Sequence, residues 1–301
     1  MDIIISASLA YDKIMDFPGF FKDHIMPDKI HILSVSFFID KLTEKRGGVA
    51  GNIAYNLKLL GENPKIIATA GKDFGDYKNY LEKLKIETTG IKIIKDELTA
   101  CARIITDKDD NQISAFHPGA MNFSDQISLS DLDFDKNNAI VLVGPDSKAG
   151  TKKRVQECAK FKIPFIFDPG QNIMFWNQSE LRRMIKSAKI LIVNDYELEL
   201  AKERAKWDLD NILNNVNVLI VTLGEKGSVI YDNKKKLKIP AVKAKNVDPT
   251  GAGDAYRAGI LKGLANGWDW EKTGRLASFC GACAVEHYGT QEHGHSLKLK
   301  V

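Results

Sequence analysis

The sequence predicts an α/β fold: a large, mostly parallel β-sheet covered by helices on both faces, with a small second sheet standing off it. Three observations carry this reading. Short β-branched runs alternate with helical patterns along most of the 301 residues, as in a parallel sheet buried on both sides. Two stretches are extended where helices are due. A chain that is 44% hydrophobic can fill a large core.

In chain order, the predicted strands of the main sheet are Asp2–Ser8, Lys65–Ala70, Ala139–Val143, Pro164–Phe167, Ile190–Val193 and Val218–Thr222. The predicted helices are Val49–Leu60, Gly75–Leu84, Thr151–Phe161, Ser179–Ser187, Asp195–Ala205, Ala252–Ala265 and Glu271–Glu286. The first break in the alternation is Tyr11–Glu44, rich in Phe and including the β-like run Ile30–Val35. The second, Ala100–His117, reads as a hairpin: Cys101–Thr106, a polar turn Asp107–Asn111, then Gln112–His117. Both are expected to be strands of a small layer able to close over a site and exclude water. Lys234, Lys235 and Lys236 read as a solvated hairpin turn. The whole chain, 1–301, reads as one domain, its small sheet formed by insertions at about 11–45 and 97–118.

Composition excludes several function classes. A net charge of +4 on a mixed surface is no nucleic-acid signature. No apolar run reaches the roughly 18 residues of a membrane span. The start, Met1-Asp2-Ile3-Ile4-Ile5, lacks the basic region of a signal peptide, so a cytoplasmic location is expected. Cys101, Cys158, Cys280 and Cys283 are too scattered for a disulfide framework, and the pair in Cys280-Gly-Ala-Cys283 reads as buried packing thiols. His287, His293 and His295 are irregularly spaced in a polar tail and read as solvated.

The strongest chemical signal is Val247-Asp248-Pro249-Thr250-Gly251-Ala252-Gly253-Asp254, which opens a helix. A helix N-terminus presents unpaired N–H groups and partial positive charge, which suit a phosphate. A carboxylate beside that phosphate is suited to accept the proton of an attacking hydroxyl. The alternative is that Asp254 merely favours the helix dipole.

Four weaker constellations accompany it. Gly47-Gly48 entering a helix with Asn52 lets a ligand approach the backbone, or simply makes a tight loop. Asn194 and Glu197 lie one turn apart after a strand; they fit a capping box, a magnesium–phosphate site, or both. Thr222, Gly224 and Gly227 suit a nucleotide or a plain glycine turn. Asp12 and Asp168 follow predicted strands, where a carboxylate can accept two hydroxyls of a sugar diol or cap a turn.

Taken together, Gly47-Gly48…Asn52…Gly61…Gly71 and Asp248-Pro-Thr-Gly-Ala-Gly-Asp254 resemble the two signatures of the ribokinase-like (PfkB) carbohydrate and nucleoside kinases. Asn194…Glu197 and Thr222-Leu223-Gly224…Gly227 match as well, so the resemblance covers nearly the whole chain. It implies a large Rossmann-like α/β domain with a small β-sheet lid, and transfer of the ATP γ-phosphate to an alcohol. Carried over, Asp254 is the base, and Gly251, Ala252 and Gly253 form the anion hole. Asp12, Gly47, Gly48, Asn52 and Asp168 would hold the acceptor, with Phe37, Phe116 or His117 closing over it. Asn194, Thr222, Gly224, Gly227 and Thr250 would lie along ATP, and Glu197 would meet Mg2+ through water. Asp248 and the Gly289 region match, weakly, the position of a monovalent cation such as K+.

Ser8-Leu-Ala-Tyr-Asp12, Phe116-His-Pro-Gly-Ala-Met121, Asp168-Pro-Gly-Gln171 and Asp254-Ala-Tyr-Arg-Ala-Gly259 look like the bacterial and archaeal adenosine and nucleoside kinases. The expected reaction is therefore phosphorylation of a nucleoside, adenosine foremost, at its 5′-hydroxyl, by a monomer or homodimer. The alternatives are a sugar or phosphosugar kinase and a non-catalytic nucleotide-binding regulator. Arg257, one turn after Asp254, has an open role that includes phosphate contact.

Overall fold

The computed structural model describes residues 1–245 and 247–294; His295 lies outside them. In chain order the elements are β1 (Asp2–Ser6), β2 (Ala10–Asp16), β3 (Lys41–Gly47), α1 (Val49–Leu59), β4 (Lys65–Gly71), α2 (Gly75–Lys83), β5 (Ile91–Ile94), β6 (Ala100–Thr106) and β7 (Gln112–His117). There follow β8 (Ala139–Val143), α3 (Lys148–Phe161), β9 (Phe165–Phe167), α4 (Gln178–Ser187), β10 (Ile190–Asn194), α5 (Asp195–Ala205), α6 (Leu209–Leu213) and β11 (Val218–Thr222). The chain continues through β12 (Ser228–Asp232), β13 (Lys235–Ile239), α7 (Ala252–Ala265) and α8 (Trp270–Val285).

Nine strands form the large sheet in the order β13-β12-β11-β10-β9-β8-β1-β4-β5. From β11 to β5 every pairing is parallel, and β12 and β13 close one side antiparallel. Strand side chains alternate faces, and both faces are apolar. Ile3, Ile5, Leu142, Ile192 and Ile220 pack with Leu57 of α1, Leu81 of α2, Ile260 of α7 and Ala277 of α8. Ile4, Val141, Phe167, Leu191 and Leu219 pack with Val155 of α3, Leu181 of α4, Ala201 of α5 and Ile212 of α6. The polar residues that follow β1, β9, β10 and β11 therefore emerge at one edge of the sheet, the usual ligand edge.

The small sheet has four strands in the order β3-β2-β6-β7. Its rows settle which side chains share a face. Lys45, Asp12, Ala102 and Phe116 are directly opposite one another across the four strands, as are Arg46, Tyr11, Cys101 and His117 in the next row. Adjacent rows point to opposite faces.

Three local expectations change. Of the run expected to be extended at 30–35, Ile30–Ile32 instead complete a 3-10 segment, Pro27–Ile32, in which Pro27 supplies a preset φ at the first turn. Lys235 and Lys236 already pair in β13, so only Asn233 and Lys234 make the turn, both with positive φ. His293 is not solvated but fully buried, stacked edge-on against Tyr55. Cys280 and Cys283 are buried, as expected.

Candidate active site

Helix α7 begins at Gly251, whose φ of 80° is left-handed. No side chain caps this end; the Ala252 N–H makes a long bond to Pro249 O at 3.3 Å, and its neighbours keep their capacity for an external acceptor. A Cβ on Gly251 would meet Thr290 at 2.8 Å, so the turn also needs glycine for space. Ahead of it, Asp248 accepts from the N–H of Thr250 at 2.9 Å and of Gly289 at 3.0 Å. That carboxylate thus ties the approach to α7 to the segment after α8. Thr250 itself is exposed.

Asp254 sits in the first turn of α7. Asn52 of α1 donates its Nδ2 to Asp254 Oδ2 at 2.8 Å. Desolvation pushes the Asp254 carboxyl up to about 6, against the lowering influence of the Arg257 charge and the Asn52 hydrogen bond; the charges of Asp168 and Asp12 raise it. Asp12 is pushed up to about 6 as well, by burial and then by Asp248. The two acids are therefore electrostatic neighbours whose protons are held more tightly than usual.

The glycine pair ahead of α1 lets the small sheet approach that helix. Gly48, with φ 83°, has the backbone of Leu9 and Ala10 where a Cβ would stand, the closest atom at 2.5 Å. At Gly47 a Cβ would lie 2.4 Å from Asp12 Oδ2. Gly47 is thus the space into which the Asp12 carboxylate fits. Phe116 shares the Asp12 face two strands away and is 54% exposed, open to a ligand. His117 belongs to the neighbouring row and projects from the opposite face, because successive strand residues alternate. Phe37 packs against Phe17, Phe21 and His24 in an aromatic cluster.

Asp168 has a partner that the sequence does not reveal. It is 2% exposed, and both its oxygens accept from Arg257: Oδ1 from Nη2 at 2.7 Å, and Oδ2 from Nε. The acid expected on a substrate diol is instead the counter-ion of a buried arginine. The same contact, together with a bond from Nη1 to Gly253 O at 3.0 Å, gives Arg257 its partners.

On the other side of the edge, Asn194 and Glu197 form a reciprocal capping box. Asn194 Oδ1 accepts from the Glu197 N–H at 2.7 Å, and Glu197 Oε2 accepts from the Asn194 N–H at 2.9 Å. Burial pushes the Glu197 carboxyl up. Among the described residues no cluster of three or more His, Cys, Asp or Glu could hold a metal by itself. Mg2+ commonly keeps waters and leans on substrate phosphates, so one buried carboxylate here fits a water-mediated role. Thr222 pairs with Ser228 across β11 and β12. Gly224 and Gly227 both have positive φ, and a Cβ on Gly224 would meet no atom within 4 Å, leaving open ground beside the turn.

Sequence reasoning missed the residues behind the base. Gln291 Nε2 donates to Asn52 Oδ1 at 3.0 Å and to the Tyr77 hydroxyl at 2.7 Å. Tyr77 in turn donates to Gly47 O at 3.0 Å. Asn56 donates to Asn52 O at 2.9 Å and is bonded to His293 Nε2 at 2.7 Å. Asn56, one turn from Asn52 on the buried side of α1, is the local clue to this network.

An uncapped, glycine-built helix end with a carboxylate in its first turn, at the ligand edge of a parallel α/β sheet, defines a site for phosphoryl transfer to an alcohol. Comparison with known proteins gives the family: the profile for "pfkB family carbohydrate kinase" matches residues 26–296, and the chain belongs to this family. It is 37% identical over 251 residues to a nucleoside kinase of Methanocaldococcus jannaschii, covering 81% of this chain and 80% of that protein. The solved structure of Burkholderia thailandensis nucleoside kinase in complex with inosine superposes with a TM-score of 0.86 at 39% identity, covering 97% of this chain and 93% of that one. The same kinase in complex with ADP-inosine gives 0.84 at 40%, covering 97% and 91%. The protein is a phosphotransferase acting on an alcohol group, and its family implies ATP as the donor, typically with Mg2+. No helix among the described residues is long and apolar enough to cross a membrane.

Proposed function

We propose that this protein transfers the γ-phosphoryl group of ATP to the 5′-hydroxyl of a nucleoside, with adenosine as the foremost acceptor. The observation that carries the proposal is the Asp254 carboxylate, set in the first turn of a glycine-opened helix and gripped by Asn52. The similarity to nucleoside kinases, one of them solved with inosine, supports a nucleoside over a free sugar. Asp12, seated against Gly47, accepts the ribose hydroxyls, and Phe116, on the same face, covers the base. The small sheet acts as the lid. Asp254 accepts the proton of the attacking 5′-hydroxyl, and the N–H groups at Gly251, Ala252 and Gly253 bind the transferring oxygens as charge develops on them. Magnesium, when bound with ATP, screens the phosphate charge; Glu197 would hold it through water. Asp248 is the residue proposed to face a monovalent cation, and the cytoplasm is the proposed site of action.

The test is ADP release with ATP and Mg2+ across adenosine, inosine, guanosine, cytidine and ribose. Turnover is expected with nucleosides. Turnover with ribose alone would make this a sugar kinase, and none with any acceptor would make it a regulator. Asp254→Asn should lower the rate by roughly 10²–10⁴-fold. A folded variant with near-normal turnover would remove Asp254 from the role of base.

A further inference from the structure

Arg257 is a large cation in an unusual place. It is 8% exposed, one turn inside α7, beneath the turn that would receive the phosphoryl group. Its fork is occupied by Asp168 from the end of β9, and the remaining nitrogen, Nη1, reaches back to Gly253 O. A Cβ on Gly253 would stand 2.8 Å from that nitrogen. Gly253 is therefore glycine partly to admit the guanidinium.

The carbonyl of Gly253 and the N–H of Asp254 belong to one planar peptide unit and point in opposite directions. Helix geometry already points that N–H toward the open end and the carbonyl along the axis, and the guanidinium adds a second donor that stiffens the unit. A charge-assisted bond to the carbonyl also polarises the same unit, which strengthens the N–H as a donor. Arg257 itself is held by a two-pronged ion pair, the geometry in which arginine is most rigid.

We propose that Arg257, locked by Asp168, is a positioning residue for phosphoryl transfer: it stiffens and polarises the Gly253–Asp254 peptide unit that faces the transferring group and places a fixed positive charge beneath the base. This rests on the reading of Asp254 as the base. Arg257 thus acts through the peptide unit and the base rather than by touching phosphate.

The charges around the base set the direction of each test. Asp254 faces Arg257 on its own helix, Asp168 at the end of β9, Asp12 on β2 and the neutral Asn52 on α1. Arg257 also lies near Glu197 on α5. Removing the Asp168 charge while keeping the guanidinium lowers the proton affinity of Asp254. Replacing both members by neutral hydrogen-bonding groups removes the larger, opposing influence and raises it.

The experiment compares Asp168→Asn with the paired change Arg257→Gln/Asp168→Asn. Folding is read first by circular dichroism and melting, then kcat and both KM values across pH 5 to 9. The paired variant should lose about tenfold or more in kcat with KM values nearly unchanged, as expected when a transition-state interaction is removed. The acid limb of kcat should move to lower pH in Asp168→Asn and to higher pH in the paired variant. A purely structural ion pair would not move the limb in opposite directions. If the paired variant does not fold, the acid limb of Asp168→Asn decides. A limb that stays put or rises in Asp168→Asn, or a folded paired variant with normal kcat, overturns the inference. If Asp254→Asn keeps its turnover, the base reading fails first; if that variant is inactive while these two behave as wild type, only the role of Arg257 fails.

Discussion

Gln291→Met tests whether the orientation of one amide sets the strength of the base. The substitution keeps the length of the side chain but removes the Nε2 donors. In the native protein these hold Asn52 Oδ1 at 3.0 Å and the Tyr77 hydroxyl at 2.7 Å. Tyr77 keeps its own bond to Gly47 O, so its loss is small. Asn52 Oδ1 is left as a buried acceptor without the Gln291 donor, a loss of about 1–3 kcal/mol. For a chain of this length that lowers Tm by roughly 2–5 °C. The effect on activity has a separate origin. With Oδ1 no longer anchored, the Asn52 amide is held only by its bond to Asp254 Oδ2, so that donor is less firmly placed. A carboxylate whose donor is weakened holds its proton more tightly. The acid limb of kcat should therefore move to higher pH, and kcat at pH 7 should fall. The assay is coupled ADP release from pH 5 to 9 beside a melting scan on the same preparations. If Tm falls as stated while the acid limb stays at its wild-type pH, Gln291 is a packing residue and the orienting argument is wrong.

Three further outcomes follow from the geometry. Asp254, pushed up to about 6, must be ionised to act, so kcat should fall about tenfold per unit as pH drops below about 6. Stability runs the other way. A carboxyl whose folded-state value is raised contributes stability below its unfolded value near 3.8 and loses that contribution as pH rises through about 6. Asp254→Asn should therefore melt higher than wild type at pH 7 and lose the advantage near pH 4; a lower Tm at pH 7 would contradict the burial argument. Gly47→Ala puts a methyl where Asp12 Oδ2 now stands, 2.4 Å from the new carbon. It should raise KM for the acceptor about tenfold or more while leaving KM for ATP nearly unchanged, a loss of ground-state contact, and equal effects on both constants would count against Asp12 as the acceptor's ligand.

What was legible in the sequence follows from the range of the interactions involved. The strand cores and most helices are repeats of local pattern, so Ala139–Val143, Val218–Thr222, Asp195–Ala205 and Ala252–Ala265 emerge with the bounds their periodicity suggests. The turn at Gly251 was legible because its glycines answer to local backbone geometry, a left-handed residue at a helix start. The partners of its neighbours were not. Asp168 and Arg257 are 89 positions apart, and Asn52 and Gln291 are 239 apart. No spacing rule joins such pairs; the sheet order does, by bringing the end of β9 and the segment after α8 to the helix that carries the base. Asp168 therefore read as a ligand for substrate because a carboxylate after a strand is defined locally only by its exposure to that edge, and its counter-ion lay on another element. The same reasoning explains His293. A histidine in a polar tail reads as solvated until the fold supplies Asn56 and Tyr55 around it. The motif names the groups positioned for chemistry, and long-range contacts set how they are held. Arg257 occupies both levels: it is adjacent to the motif in sequence, yet its orientation depends on an acid from the far side of the sheet edge.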